Sequence, residues 1–184
     1  MGAAEHGGAG WHMGRQRSGE AMGDRVFDSM DKALLKERFT GLLRDRRDTL
    51  AGVQADARAG TRVDGDHRPE NRGERAAVTS QGYLAHGLTA RMAELDTMLE
   101  ALALVRTGPC ARIASGALVR LADEADEERL LYILPGGQGD RLGPVVVVSP
   151  RAPIVRALSG AGVGDARALH RGGTTEWVEV LGIR

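Results

Sequence analysis

Two apolar stripes separated by a single break constrain this chain more than any other feature. From Asp31 onward, Leu35, Phe39, Leu42, Leu43, Leu50 and Val53 fall on one helical face. The pattern fades in "ARAGTRVDGDHRP", where glycines and a proline interrupt it. It resumes with Leu84, Leu88, Met92, Leu95, Leu99 and Leu102, spaced by four, four, three, four and three residues as in a heptad seam. Each stripe is narrow, so each helix must close its stripe on the other. The spacing predicts an antiparallel helical hairpin over residues 31–105, with Asp31 as N-cap. At ~1.5 Å per residue its helices are roughly 40 Å long. Gly41, Gly52, Gly82 and Gly87 fall inside them, each at a cost of about 1 kcal/mol against alanine, so the hairpin is expected to be modestly stable. The alternative is that the hairpin is one layer of an ordinary helical bundle.

The flanking segments differ in kind. Residues 1–30 are glycine-rich without apolar periodicity and are expected to form a disordered tail, because they bury too little to offset their ordering entropy. Isolated His6 and His12 in such a tail are read as inert. Residues 110–184 carry short branched apolar runs, "GALVRLAD", "RLLYILP", "PVVVVSP" and "TEWVEVLGIR", separated by "DEADEE", "GGQGD", "GVGD" and "HRGGT". These predict strands joined by turns. "PIVRALSG" predicts one short helix, with Pro153 in the first turn and Gly160 at the stop. The fold class is therefore α+β, a two-helix coiled coil followed by a small sheet domain with one helix. Tyr132 and Trp177 are expected to anchor its core.

Several function classes are disfavoured. Lys and Arg number 25 against 25 Asp and Glu, so the basic excess of a broad nucleic-acid-binding face is missing. Aromatics are 3% of the chain, too few for base-stacking modules. Cys110 is the only cysteine, which excludes a disulfide framework and a cysteine zinc site and suits a reducing, cytoplasmic compartment. The apolar run near "GPVVVVSP" is too short to span a bilayer, and no signal pattern opens the chain. No nucleophile elbow or triad-like motif stands out.

The break between the helices holds the most suggestive chemistry. Residues 62–75 contain Asp64, Asp66, Glu70 and Glu74 interleaved with Arg62, Arg68, Arg72 and Arg75. Asn71 and Glu74 have capping-box spacing, which would leave Asp66 and Glu70 free. Alternatively, Pro69 is the first helical residue and draws Glu70 into the first turn. Two carboxylates on a turn can share Mg²⁺ when phosphates or a partner supply other ligands; equally, they can be a solvated turn.

The chain resembles the GreA/GreB family of bacterial transcript-cleavage and elongation factors over about residues 31–184. Asp66, Glu70-Asn71, nine residues and Gln81-Gly82-Tyr83, then "MAEL" at Met92–Leu95, follow the family's tip. "VVVVSP", "RALSGAGVGD" and "EWVEVLGI" follow the order of its C-terminal domain. The resemblance implies an FKBP-like antiparallel sheet domain that docks on RNA polymerase and a coiled coil that enters the polymerase's secondary channel. It implies that Asp66 and Glu70, as the catalytic pair, help hold the second Mg²⁺ at the polymerase's own active site, consistent with two-metal phosphoryl chemistry. Ser149 and Pro150 match the loop that faces the polymerase. The implied protein is a cytoplasmic, monomeric accessory factor with no cofactor of its own, no membrane contact, and contact with nucleic acid only through the polymerase. Three features depart from the pattern: three residues rather than two separate Asp66 from Glu70, Arg72 and Arg75 follow Glu-Asn, and "RAPIV" lengthens the link after Ser-Pro. They bear on cleavage more than on binding, so a non-cleaving channel regulator is one alternative. An FKBP-type peptidyl-prolyl isomerase is another, although such a site needs an aromatic-lined pocket.

Overall fold

The computed structural model describes residues 20–61, 72–171 and 173–184. In chain order these form α1 (Glu20–Ser29), α2 (Lys32–Thr61), α3 (Arg72–Ala103), β1 (Leu118–Asp123), β2 (Glu128–Ile133), β3 (Gln138–Leu142), β4 (Val145–Val148), α4 (Pro153–Leu158), β5 (Ala166–Arg171) and β6 (Thr174–Ile183). The chain divides into two units, one ending at Met30 and the other running from Asp31 to Arg184. The first contains α1, which corrects the expectation of a tail without structure for residues 20–29. Only Gly23 interrupts helix-compatible residues there, and Met30 closes the helix by donating its N–H to the Phe27 carbonyl at 3.3 Å.

In the second unit, Asp31 caps α2 as its sequence position predicts. Its Oδ1 accepts the N–H groups of Ala33 and Leu34 at 2.8 and 3.2 Å. Helices α2 and α3 run antiparallel. Lys36 Nζ donates to the Ala103 and Val105 carbonyls at 3.1 and 2.7 Å, placing a cation at the negative end of α3. Farther along, Arg47 Nε donates to Asp96 Oδ1 at 2.9 Å. Farther still, buried Gln54 donates to Thr89 Oγ1 and to the Ala85 carbonyl. In this register the first turns of α3 extend past the end of α2.

The sheet has six strands in the order β3-β4-β2-β1-β6-β5. Four of its pairings are antiparallel, as expected, but β2 and β4 run parallel, Leu130 facing Val145 and Ile133 facing Val148. The sheet is therefore mixed. Two strands fall where sequence reading placed turns or nothing. β3 overlaps "GGQGD", its ladder with β4 tolerating Gly139 through a shift in register between Gln138 and Asp140. β5 is the alternating "ARALHR" segment.

Both faces of the sheet are covered. Val119, Leu121, Leu131, Ile133, Val178 and Val180 point to one side, where Val155 and Leu158 of α4 complete a buried cluster. Leu118, Tyr132, Val145 and Val147 are buried on the other. There the base of the hairpin meets the sheet: Tyr132 Oη donates to the Lys32 carbonyl at 3.1 Å, Arg46 pairs with Asp140 at 2.5 Å, and Gly136 lies against Met98, whose sulfur would sit 3.1 Å from an added Cβ. Each such core side chain contributes about 1.5–3 kcal/mol of burial. Tyr132 anchors this core as expected. Trp177 does not: it lies on the outward-alternating side of β6 and is 40% exposed.

Candidate functional site

Three places bear on function. The first is the connection between α2 and α3. Thr61 ends one helix and Arg72 begins the next, so Asp66 and Glu70 belong to the segment that joins the hairpin's two arms. Both acids, the alternative helix starts at Pro69 and Asn71, and the proposed Mg²⁺ contact lie outside the described residues. Among the described residues, no cluster of three or more His, Cys, Asp or Glu side chains is arranged to hold a metal ion.

The second place is the Ser149-Pro150 turn between β4 and α4. Ser149 folds the chain back on itself: its Oγ accepts the Arg151 N–H at 3.1 Å and its carbonyl accepts the Ala152 N–H at 2.9 Å. Pro153 then starts α4 at its first turn, and Gly160 follows the helix at φ 75°, matching the sequence-based start and stop. The turn is half-exposed. Beside it, Pro150, Ile113, Val155, Arg156 and Ser159 line a notch of about 420 Å³. Two of these lining residues, Ile113 and Val155, belong to the buried core. Arg112 Nη1 donates to the Gly160 carbonyl at 2.6 Å, tying the start of the sheet domain to the end of α4. The motif in the sequence picks out Ser149 and Pro150 but not Arg156, which lines the notch with Pro150. The signal available was "RAPIVR" itself, which puts Arg151 and Arg156 at the two ends of the segment that departs from the family pattern.

The third place is a buried knot under the hairpin base. Lys32 donates from Nζ to the Gly108 carbonyl at 2.7 Å, with Cys110 Sγ at 3.7 Å, and its own carbonyl receives the Tyr132 hydroxyl. Burial holds the Lys32 ammonium below the ordinary lysine range, partly offset by the Cys110 charge. Burial likewise pushes the Tyr132 phenol up to about 12. The knot ties the start of α2, the segment after α3 and strand β2 together. Every polar group in it has a partner, so its role is to fix the hairpin on the sheet.

A second concavity, about 460 Å³, lies between α2, α3 and the start of β3 and is lined by Leu42, Leu50, Leu95, Met98 and Gln138 among others. No aromatic side chain lines either concavity. No helix among the described residues is long and apolar enough to cross a membrane.

No protein-family model matches the chain, and no curated protein matches it. Among solved structures, it is similar to GreA factor homolog 1 (Gfh1) of Thermus thermophilus, with 19% identity over 81% of this chain and 94% of that one, at a TM-score of 0.35. It is similar to Thermus aquaticus Gfh1, with 18% identity, 83% and 94% coverage, and a TM-score of 0.35. It is also similar to the prokaryotic transcription elongation factor GreA/GreB from Nitrosomonas europaea, with 24% identity over 48% of this chain and 78% of that one, at a TM-score of 0.33. At these identities and TM-scores, no residue role passes from those proteins to this chain.

Proposed function

We propose that this protein is a transcription elongation factor that binds bacterial RNA polymerase through its sheet domain, of FKBP-like type, and places the end of its hairpin in the secondary channel. The observation that carries this reading is the coincidence of motif and structure. "VVVVSP" supplies β4 and the Ser149-Pro150 turn, "RALSGAGVGD" the end of α4 and the Gly164-Asp165 turn, and "EWVEVLGI" strand β6, all following a two-helix hairpin. Ser149 and Pro150 face the polymerase. Asp66 and Glu70 stand at the hairpin's connecting segment and would help hold a Mg²⁺ shared with the polymerase active site. The protein acts in the cytoplasm as a monomer, an accessory to the polymerase's own chemistry rather than an enzyme.

A second reading, in which the protein occupies the channel without stimulating cleavage, is favoured by one observation. Arg72 and Arg75 lie two and five residues after Glu70, and a guanidinium that pairs with a carboxylate competes with a metal for it. Neither of the two concavities described among these residues is aromatic-lined, so they lend the isomerase alternative no support. A cleavage assay on a stalled, backtracked polymerase complex decides between these readings. If the tip is catalytic, wild type shortens the transcript and Asp66→Asn/Glu70→Gln does not, with polymerase binding retained. Binding without cleavage by wild type selects the non-cleaving regulator. Absence of binding, with no change in pausing or cleavage, rejects the function altogether.

A further inference from the structure

We propose that the part of the sheet around Trp177 is a docking face for an extended peptide segment of another protein that bears arginine or lysine side chains. This goes beyond the polymerase reading, and none of its residues belongs to the Ser149-Pro150 turn or to the segment joining the hairpin's arms. Residues directly opposite each other in an antiparallel ladder share a face. The register therefore sets Glu128 of β2, Ala122 of β1, Glu179 of β6 and Ala166 of β5 in one row across four strands. Trp177 and Ala168 form the next row. This is the same face whose Tyr132 meets the hairpin base, but here Glu128, Trp177 and Glu179 are exposed, Trp177 by 40%. The alanines between them are short, so the indole and the two carboxylates are what project. His170 closes the face in the row beyond, its ring bonded to Thr175 Oγ1 at 3.0 Å.

The charge beside the indole is mostly of one sign. The β1–β2 turn opens at Asp123, opposite Val178 and so next to Trp177, and residues 123–128 hold five acids and no base. Arg129 fastens this turn to β6, pairing with Asp123 at 2.8 Å and with Glu176 at 3.2 Å. Buried Arg120 lies 3.8 Å from Glu128. The two arginines leave exposed Glu124 and Glu127 with no ion pair among the described residues. In a chain of zero net charge the turn is a local negative field, and such a field steers and orients a positive partner. The acids are spread along a turn and a strand rather than gathered: among the described residues no group of three or more is arranged to hold a metal ion. Spread carboxylates beside an exposed indole suit several organic cations on one chain, because guanidinium and ammonium groups pair with acids and also settle on an indole face. An extended segment repeats its like-facing side chains every ~7 Å, the interval that also separates Glu179 from Trp177 along β6. A phosphate backbone would be repelled here, and a purely apolar partner would bury the carboxylates unpaired.

The test uses the full chain carrying Trp11→Phe, which leaves Trp177 as its one tryptophan. A short synthetic peptide alternating glycine with arginine is titrated in at low and at high salt, followed by indole emission and by calorimetry. Peptides alternating glycine with serine and glycine with glutamate are the controls. The expected result is saturable binding of the arginine peptide alone, with a change in Trp177 emission and about tenfold weaker affinity at high salt. Glu124→Gln/Glu127→Gln should weaken binding about fivefold, and Trp177→Ala, followed by calorimetry, by about as much. If Trp177→Ala melts early by circular dichroism, the glutamine pair and the emission of the intact indole carry the comparison. Absence of binding, binding that leaves Trp177 emission unmoved, equal binding of the serine peptide, or variants within about twofold of the parent each overturn the inference. Self-association in sedimentation that Trp177→Ala abolishes overturns it too, by seating a second copy on the face. Polymerase is absent from every arm, so this inference and the polymerase reading fail separately.

Discussion

The two ends of the α2–α3 hairpin are built from the same kind of sequence but are not packed alike. At the base, Phe39, Leu43, Leu95 and Leu102 are buried, Phe39 and Leu102 completely. Toward the connecting segment the stripe continues in the sequence, yet Val53 is 45% and Leu84 52% exposed. Among the described residues, the buried position at that level is polar, Gln54, bonded across to Thr89 and Ala85. The difference lies in what each end has to pack on. At the base the helices close on each other and on the Tyr132 face of the sheet. Farther out they have only each other, and a two-helix seam cannot enclose a leucine from all sides. Heptad spacing predicts which residues face the seam, and a third layer decides which of them leave water.

The largest test of this contrast is truncation. Phe39→Ala should destabilise the protein by about 3–5 kcal/mol, whereas Leu84→Ala should cost less than about 1 kcal/mol. Denaturant unfolding of the two variants measures both; equal losses would mean the seam is buried evenly along its length. The next effect has the opposite sign. An added Cβ at Gly52 or Gly87 meets nothing within 4 Å, so Gly52→Ala/Gly87→Ala should raise stability by about 1–2 kcal/mol. Amide exchange should slow most in the outer half of the hairpin, and a gain confined to the base would break the comparison.

The smallest effect tests how the base is fastened. Tyr132→Phe removes the hydroxyl donated to the Lys32 carbonyl and should cost about 1 kcal/mol at neutral pH. It should also change the alkaline limb. The Tyr132 phenol is pushed up to about 12 by burial, with the Cys110 and Asp31 charges adding, whereas an unfolded tyrosine titrates near ~10. Its contribution is therefore whole below pH ~10 and is lost as pH rises through about 12. Lys32, lowered by burial, works with the opposite sign, so the quantity to follow is the difference between wild type and Tyr132→Phe. That difference should shrink as pH rises from about 10 toward 12; a constant difference would place the phenol in water.

Much of this was legible in the residues. The stripes located the hairpin, Asp31 its cap, and the Pro153-to-Gly160 spacing the short helix, because each is a local rule satisfied by neighbours in sequence. Runs of branched residues located β1, β2, β4 and β6. What escaped were elements decided by distant partners. β3 is glycine-rich and becomes a strand only through its ladder with β4; β5 has small and charged residues and depends on β6. The parallel pairing of β2 with β4 leaves no local mark. Trp177 misled because size suggested a core position, while alternation along β6 assigned Val178 and Val180 to it. For the candidate site, Ser149 and Pro150 were visible as a motif. The notch beside them was not, since Ile113 reaches it from a segment far away in sequence.

The parallel pair also has a consequence for how the chain is made. In the finished sheet β4 lies between β2 and β3, although it is synthesised after both. When residue 142 has just emerged from the ribosome, the outer edge of β2 and the whole of β3 have no strand to bond to. Only Gly143 and Pro144 separate β3 from β4, so those two can zip together at once and add to β2 as a ready-made ribbon. Until then, both waiting edges are open to pairing with another nascent chain.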